Sequence, residues 1–199
     1  MSPHPHVLVV AATTYELAIS DDWRSLVCGV GPVEAAAATA QAIAEHRPHA
    51  IVHVGIAGAR HRSQLTPGTI VLGSESTYCD MTLHSALAPK RIAAPAELLN
   101  AARRAAPQAR VHVIGTSARV GGSSECEPEV DIEAMEGFAV LRAAQRAGVP
   151  AIEIRAISNV IEETDRRLWQ FDIGFAAIVA ITPLLVREVQ RAIEHVATA

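Results

Sequence analysis

Two short segments hold the residues best suited to chemistry. In Glu133-Ala134-Met135-Glu136-Gly137-Phe138-Ala139, a carboxylate at Glu136 heads an otherwise apolar helix, where the helix dipole favours negative charge. In Val149-Pro150-Ala151-Ile152-Glu153-Ile154-Arg155-Ala156-Ile157-Ser158-Asn159, a buried strand ends in Arg, Ser and Asn. A cation inside such a strand is costly unless paired, and a structural ion pair of Arg155 with Glu16 or Glu136 is one reading of it. Glu16 itself lies a few residues past the first strand, where a loop can present it. Asn159 offers a donor and an acceptor on one amide. Gly55-Ile56-Ala57-Gly58 follows a strand directly; its small residues would let backbone N–H groups approach a ligand, although alone it reads as an ordinary turn.

Other motifs are weaker. Gly29-Val30-Gly31 before a helix invites a dinucleotide reading, but Glu34 stands where a third Gly or Ala is required, so a tight strand-to-helix turn is the better account. The nine histidines show no metal-ligand spacing, and His53 reads as a satisfied, partly buried strand residue. Cys28, Cys79 and Cys126 are odd in number and lack a CxxC, which points to reduced thiols in a cytoplasmic protein.

The elements that must position these residues alternate between strand and helix. Apolar, β-branched runs predict strands at His6–Ala11, Ser25–Val30, Ala50–Val54, Thr69–Leu72 and Ala151–Ile157, and an alternating pattern predicts one at Arg110–Ile114. Helices are expected at Val33–Glu45 after Pro32, at Ala94–Ala105, at Ile132–Ala147 before Gly148 and Pro150, and at Phe171–Val196 with a disturbance at Pro183. This order predicts an α/β chain: a three-layer α/β/α sandwich with a mixed, mostly parallel central sheet, in one domain spanning 1–199. Ligands of such sheets sit beyond the carboxyl ends of the strands, so the loops after Ala11, Val54 and Ile157 are the places to look.

Composition removes several function classes. The formal net charge is -4, with no basic stripe for a phosphate backbone, so no nucleic-acid partner is expected. The apolar stretch Ile173–Val186 is broken by Thr182 and Pro183 and falls short of the roughly 18 residues a membrane span needs. Met1-Ser2-Pro3-His4-Pro5-His6 lacks the basic start and cleavage site of a signal peptide.

Taken together, Glu16 beyond the first strand, Gly29-Val30-Gly31-Pro32, Gly55 to Gly58, Pro67-Gly68-Thr69-Ile70-Val71, Ala134-Met135-Glu136-Gly137 and Arg155-Ala156-Ile157-Ser158-Asn159 resemble the nucleoside phosphorylase and nucleosidase superfamily. With Asp165-Arg166 and Trp169, the chain looks most like its futalosine hydrolase branch, menaquinone-pathway enzymes that release hypoxanthine. The resemblance implies a hydrolase of N-glycosidic bonds acting on a small nucleoside, with no metal or organic cofactor, working as a homo-oligomer, a dimer or higher.

It also implies roles. Breaking a ribosyl–purine bond builds positive charge on the sugar and negative charge on the base, so catalysis needs a sugar clamp, a water positioner and a base stabiliser. By resemblance, Glu136 binds the ribose hydroxyls, Met135 packs on the ribose, and Glu16 holds the water with Arg155 near it. Ile56, Ala57 and Gly58, with Ser158, contact sugar or base. Adenine-specific relatives carry Asp where this chain has Asn159; an amide can give N–H to O6 and accept from a protonated N7, which suits a 6-oxopurine. Arg119 stands about where some relatives place a base-stacking Phe. It would stack on the base or meet a substrate carboxylate, or be a surface arginine.

Three alternatives stay open. A phosphorylase would need Gly and Arg after the first strand; Ala11-Ala12-Thr13-Thr14-Tyr15 has neither, while Arg60 and Arg62 keep that reading alive. A methylthioadenosine/S-adenosylhomocysteine nucleosidase-like enzyme is the second, and a nucleoside-binding protein without turnover the third.

Overall fold

The computed structural model of the chain describes residues 6–81 and 89–197; the N-terminal segment Met1–Pro5, part of the leader reading, lies outside them. Eight strands form one sheet: β1 (Val7–Ala11), β2 (Arg24–Val27), β3 (Ala50–Ala59), β4 (Ile70–Tyr78), β5 (Arg91–Ala93), β6 (Arg110–Thr116), β7 (Ile132–Ala134) and β8 (Ala151–Val160). The helices are α1 (Pro32–His46), α2 (Ala96–Ala105), a short α3 (Ser123–Cys126), α4 (Gly137–Arg146) and α5 (Phe171–Ala197).

The sheet is mixed and mostly parallel, as expected. Pairs β1–β2, β1–β3, β3–β8, β4–β6 and β6–β7 run parallel; β3–β7, β4–β5 and β4–β8 run antiparallel. Successive side chains of a strand point to opposite faces. Val7 and Val9 of β1 therefore join a core with α2 and α5, through Leu98, Ile178, Leu185 and Val189. Leu8 and Val10 face α1 and α4, meeting Ala35, Ala42, Val140 and Leu141. Helices on both faces are why β1 reads as an unbroken apolar run.

Three expectations need correction. The segment after Ile132 is not one helix: Ile132–Ala134 is a strand paired to β3 and β6, and the helix begins at Gly137 with Glu136 as its N-cap. Met135 and Glu136 thus lie in the break between β7 and α4. Gly55–Gly58 is not a turn after a strand but its continuation, since β3 stays paired to β8 through Ala59 with a register shift between Ala57 and Gly58. The second strand ends at Val27, and Gly29 and Gly31 have φ of 83° and 91°, conformations that favour glycine and form the tight turn into α1. Pro183 lies within α5 without ending it.

A feature absent from the sequence pattern is closure. Because β8 pairs with both β3 and β4, strands β3, β8, β4, β6 and β7 form a continuous ring of neighbours. The ring brings the ends of β3, β7 and β8 together, and the functional side chains lie there.

Candidate active site

Glu16 ends a 3-10 turn, Thr14–Glu16, directly after β1. Its Oε2 accepts hydrogen bonds from Thr13 N and Thr13 Oγ1, both at 2.9 Å. Its Oε1 accepts from Ile56 N at 3.1 Å, so the carboxylate ties the first loop to β3. Glu136 Oε1 accepts from Gly31 N at 3.1 Å, and its Oε2 lies 3.4 Å from Arg155 Nη2. Both carboxylates are only 4% exposed, so each is a fixed part of the wall and not a mobile surface charge.

Arg155 is fully buried behind them. Its Nε donates to Glu153 Oε1 at 2.8 Å, and Nη2 lies 2.6 Å from His53 Nε2. The partner of His53 Nδ1 is the Val10 carbonyl, 3.0 Å away, which can only accept. Nδ1 therefore carries the proton and Nε2 accepts from Arg155. Burial first, and the Arg155 cation second, push the His53 pKa well below its ordinary value, consistent with a neutral ring. His53 is thus satisfied, as expected, but fully buried instead of partly so. Gly55 makes the arrangement possible, since a Cβ there would sit 2.1 Å from Arg155 Nη1 and 2.9 Å from Glu16 Oε1.

Burial raises the Glu136 pKa above the usual carboxylate value. Arg155 and the Gly31 N–H oppose that rise, and the Glu16 and Glu153 carboxylates add to it. Cys28 lies near this group and is pushed up to about 12, chiefly by burial and then by Glu136, so it remains a thiol.

These groups border a cavity of about 280 Å³. Glu16, Ile56, Ala57, Gly58, Met135, Glu136, Ser158 and Asn159 all line it. Asn159 Oδ1 accepts from Ser158 Oγ at 2.8 Å, and Nδ2 donates to the Val160 carbonyl at 3.2 Å. One N–H and one oxygen lone pair are left over on the amide. Gly58 makes room for it, because a Cβ there would be 2.9 Å from Nδ2.

Two predicted residues do not line the cavity. Arg155 sits beneath it and acts on the carboxylates from behind. Arg119 pairs with Glu125 on the exposed surface, and its neighbour Val120 lines the cavity in its place. A carboxylate so close in the chain holds the guanidinium in water, where no desolvation cost is incurred. The segment carrying Val120 is held by Glu133, which accepts from Gly121 N at 2.5 Å and Ser123 N at 2.7 Å.

An aromatic wall was missed. Phe171 and Phe175 line the cavity, their rings 6.1 Å apart, with Tyr15 stacked on Phe175 at 5.7 Å and Trp169 tilted against Phe171 at 5.5 Å. The available signal was a Phe pair one turn apart at a helix start, in a chain only 4% aromatic. Arg60 and Arg62, the two cations that kept phosphate binding open, are engaged elsewhere. Arg60 donates to Val130 O at 2.7 Å and Ser124 Oγ at 3.1 Å, and Arg62 pairs with Asp131 at 2.7 Å. Neither borders the cavity. Among the described residues, no group of three or more His, Cys, Asp or Glu could hold a metal ion, and no helix is long and apolar enough to cross a membrane.

A mixed α/β sheet with buried carboxylates and an amide around one cavity defines a class that the comparisons identify. Residues 24–196 match the model of the phosphorylase superfamily, and the chain belongs to that superfamily. Within it, the chain is 31% identical over 180 residues to futalosine hydrolase of Streptomyces coelicolor, covering 80% of this chain and 77% of that protein. A shorter match, 44% over 57 residues, relates it to futalosine hydrolase of Acidothermus cellulolyticus, covering 29% of this chain and 23% of that one. Similar folds include the methylthioadenosine/S-adenosylhomocysteine nucleosidase of Colwellia psychrerythraea in complex with adenine, with TM-score 0.82, 20% identity and 96% of each chain covered. Futalosine hydrolase of Helicobacter pylori has TM-score 0.81 and 14% identity, with 92% of this chain and 98% of that one covered.

Proposed function

We propose that this protein is an N-glycosyl hydrolase that splits a 6-oxopurine nucleoside with water, and that its substrate is futalosine, yielding hypoxanthine and dehypoxanthine futalosine. The observation that carries the reading is the single cavity bordered by Glu16, Glu136 and Asn159, with Arg155 buried behind the two carboxylates.

The mechanism follows from charge. As the C1′–N9 bond lengthens, its electron pair moves to the purine and the ribose becomes oxocarbenium-like. Glu136 accepts hydrogen bonds from the ribose hydroxyls, and its negative charge faces the forming cation. Met135 packs against the sugar. Glu16 orients a water molecule toward C1′ and takes up its proton as the C1′–O bond forms. N7 takes a proton from solvent water as the bond breaks; Asn159 donates its free N–H to O6 and accepts from the protonated N7, so the base departs neutral. The phenyl rings of Phe171 and Phe175 offer apolar surface for the bound nucleoside.

The commitment of Arg60 and Arg62 to structural contacts favours water over phosphate as the acceptor. The futalosine reading brings with it a step in menaquinone biosynthesis, a cytoplasmic location, one domain across 1–199 and a homo-oligomer. Val30 and Val33, 56% and 78% exposed beside the cavity loop, are apolar surface that a second copy would cover.

The deciding experiment incubates the protein with futalosine, inosine, methylthioinosine and methylthioadenosine, with and without phosphate, and identifies the products. Free hypoxanthine and a reducing sugar, formed equally well without phosphate, are expected. A sugar 1-phosphate as main product would make it a phosphorylase, and binding without base release would make it a binding protein.

A further inference from the structure

The buried polar groups behind the cavity extend past Arg155 to side chains that never reach the ligand space. Glu153 is 1% exposed and touches three things. Its Oε1 accepts from Arg155 Nε at 2.8 Å, its Oε2 accepts from Ser76 Oγ, and its carboxylate lies against the Cα of Gly137. A Cβ at Gly137 would stand 2.0 Å from Glu153 Oε2, so the glycine following Glu136 is required by Glu153. His53 holds the other edge of the guanidinium through Nε2 at 2.6 Å. Glu153 and His53 are in register on the paired strands β8 and β3, so the sheet itself fixes the two contacts on Arg155.

A carboxylate in this place solves an electrostatic problem. Glu136 must present negative charge to a forming cation, yet a guanidinium 3.4 Å behind it would cancel much of that charge. Removing Arg155 would leave the buried Glu136 carboxylate without its ion pair and facing the charge of Glu16. A third carboxylate on the far side of Arg155 offsets the cation's field while leaving its hydrogen bonds in place. His53, being neutral, fixes the guanidinium without adding positive charge.

We infer that Glu153, with His53, is a positioning residue that orients Arg155 and partly neutralises it, so that Glu136 and Glu16 keep a net negative field toward the oxocarbenium-like ribose. This rests on the N-glycosidic reading of the cavity. Glu136 is faced by Glu16 from the first loop, Cys28 just past β2, the Gly31 N–H from the turn capping α1, and Glu153 and Arg155 from β8, while His53 of β3 meets it through Arg155. Of these, Glu153 and Glu16 push the Glu136 pKa up, and Arg155 and the Gly31 N–H pull it down.

The test is Glu153→Gln, which keeps shape and an oxygen for Arg155 but removes the charge. Wild-type protein must first release base from a nucleoside; if it releases none, the N-glycosidic reading has failed and not this one. Given wild-type turnover, kcat of Glu153→Gln should fall on the order of tenfold while KM changes less than about twofold. The acid limb of its pH–kcat profile should also move to lower pH, because the repulsion raising Glu136 is gone. Glu153→Asp retains the charge but is too short for the Arg155 and Ser76 contacts together. It should lower kcat yet leave the acid limb at its wild-type position. A purely structural Glu153 would change stability and leave the limb of both variants unmoved, which would overturn the proposal. If Glu153→Gln fails to fold, Glu153→Asp decides: wild-type kcat in that variant would equally overturn it.

Discussion

Arg155 Nη2 lies 3.4 Å from Glu136 Oε2, which makes a fully buried cation the immediate backing of the carboxylate that borders the cavity. Glu136 accepts its second hydrogen bond from Gly31 N, so its position does not depend on ligand. Glu136→Gln keeps the side-chain shape and loses the charge. Turnover should drop by about a hundredfold or more, the scale of losing one preorganised electrostatic contact. Because burial already disfavours the charged form, the melting temperature at neutral pH should stay level or rise. A collapse in melting temperature with preserved activity per folded molecule would assign Glu136 a structural role.

The pH dependence has opposite signs for activity and stability. The folded-state pKa of Glu136 is raised above its unfolded value, first by burial. Such a group contributes stability that is fully present below the unfolded pKa and is lost as pH rises through the folded pKa. Activity needs the ionised form, so it should be lost as pH falls through that same raised pKa. In the window above the ordinary carboxylate value of 4.5, acidification should therefore reduce kcat while Glu136 itself adds stability. A kcat profile paired with melting curves across that window checks this, and Glu136→Gln should lose the stability component.

Glu16 should separate binding from chemistry. Its carboxylate is held by Thr13 and Ile56 N on the cavity wall, and its proposed work is on the water. Glu16→Ala should abolish hydrolysis while retaining nucleoside binding, measured by calorimetry with the uncleaved substrate. Near-normal turnover would remove Glu16 from water activation.

Gly55 is the steric counterpart of this charge arrangement. A methyl group there would meet Arg155 Nη1 at 2.1 Å and Glu16 Oε1 at 2.9 Å, and both are buried. Gly55→Ala should cost about 1–3 kcal/mol in denaturant stability, the usual range for overpacking, and should lower activity as well. Stability and kcat both equal to wild type would mean that the guanidinium can move aside freely.

Much of this was legible where a residue's setting is local. β1, β3 and β8 are apolar runs because helices cover both faces of the sheet, and Glu136 could be placed at a helix head from its neighbours alone. β7 was not legible, because Ile132-Glu133-Ala134 is too short to show a period and exists through its pairings with β3 and β6. Glu153 was within reach: residues two apart in a strand share a face, which puts it beside Arg155. Its link to Ser76 and its closeness to Gly137 depend on β4 and α4, which no spacing within one segment reveals. Of the two readings left open for Arg119, the structure shows the surface one, because a nearby Glu125 decides where its guanidinium points.

Base recognition is tested at Asn159. Its Oδ1 already accepts from Ser158 Oγ and its Nδ2 already donates to Val160 O, which fixes which end of the amide faces which neighbour. The remaining N–H suits O6 of hypoxanthine, and the remaining lone pair suits a protonated N7. Asn159→Ala removes both contacts, and a loss of about 3 kcal/mol, or roughly a hundredfold in rate, is expected for one charge-stabilising bond of this kind. Asn159→Asp should behave differently. An ionised Asp would set an oxygen against the Val160 carbonyl and another toward O6, both repulsive. A protonated Asp relieves the first clash by donating to Val160 O, which leaves only acceptors facing the base. In either state the donor to O6 is lost, while an acceptor for a 6-amino group is gained. Asn159→Asp should therefore slow hypoxanthine release and raise the ratio of adenine to hypoxanthine release. The measurement is kcat/KM for matched 6-amino and 6-oxo nucleosides in wild type and variant. An unchanged ratio would show that Asn159 does not read the six-position, and the choice of a 6-oxopurine would lose its chemical basis.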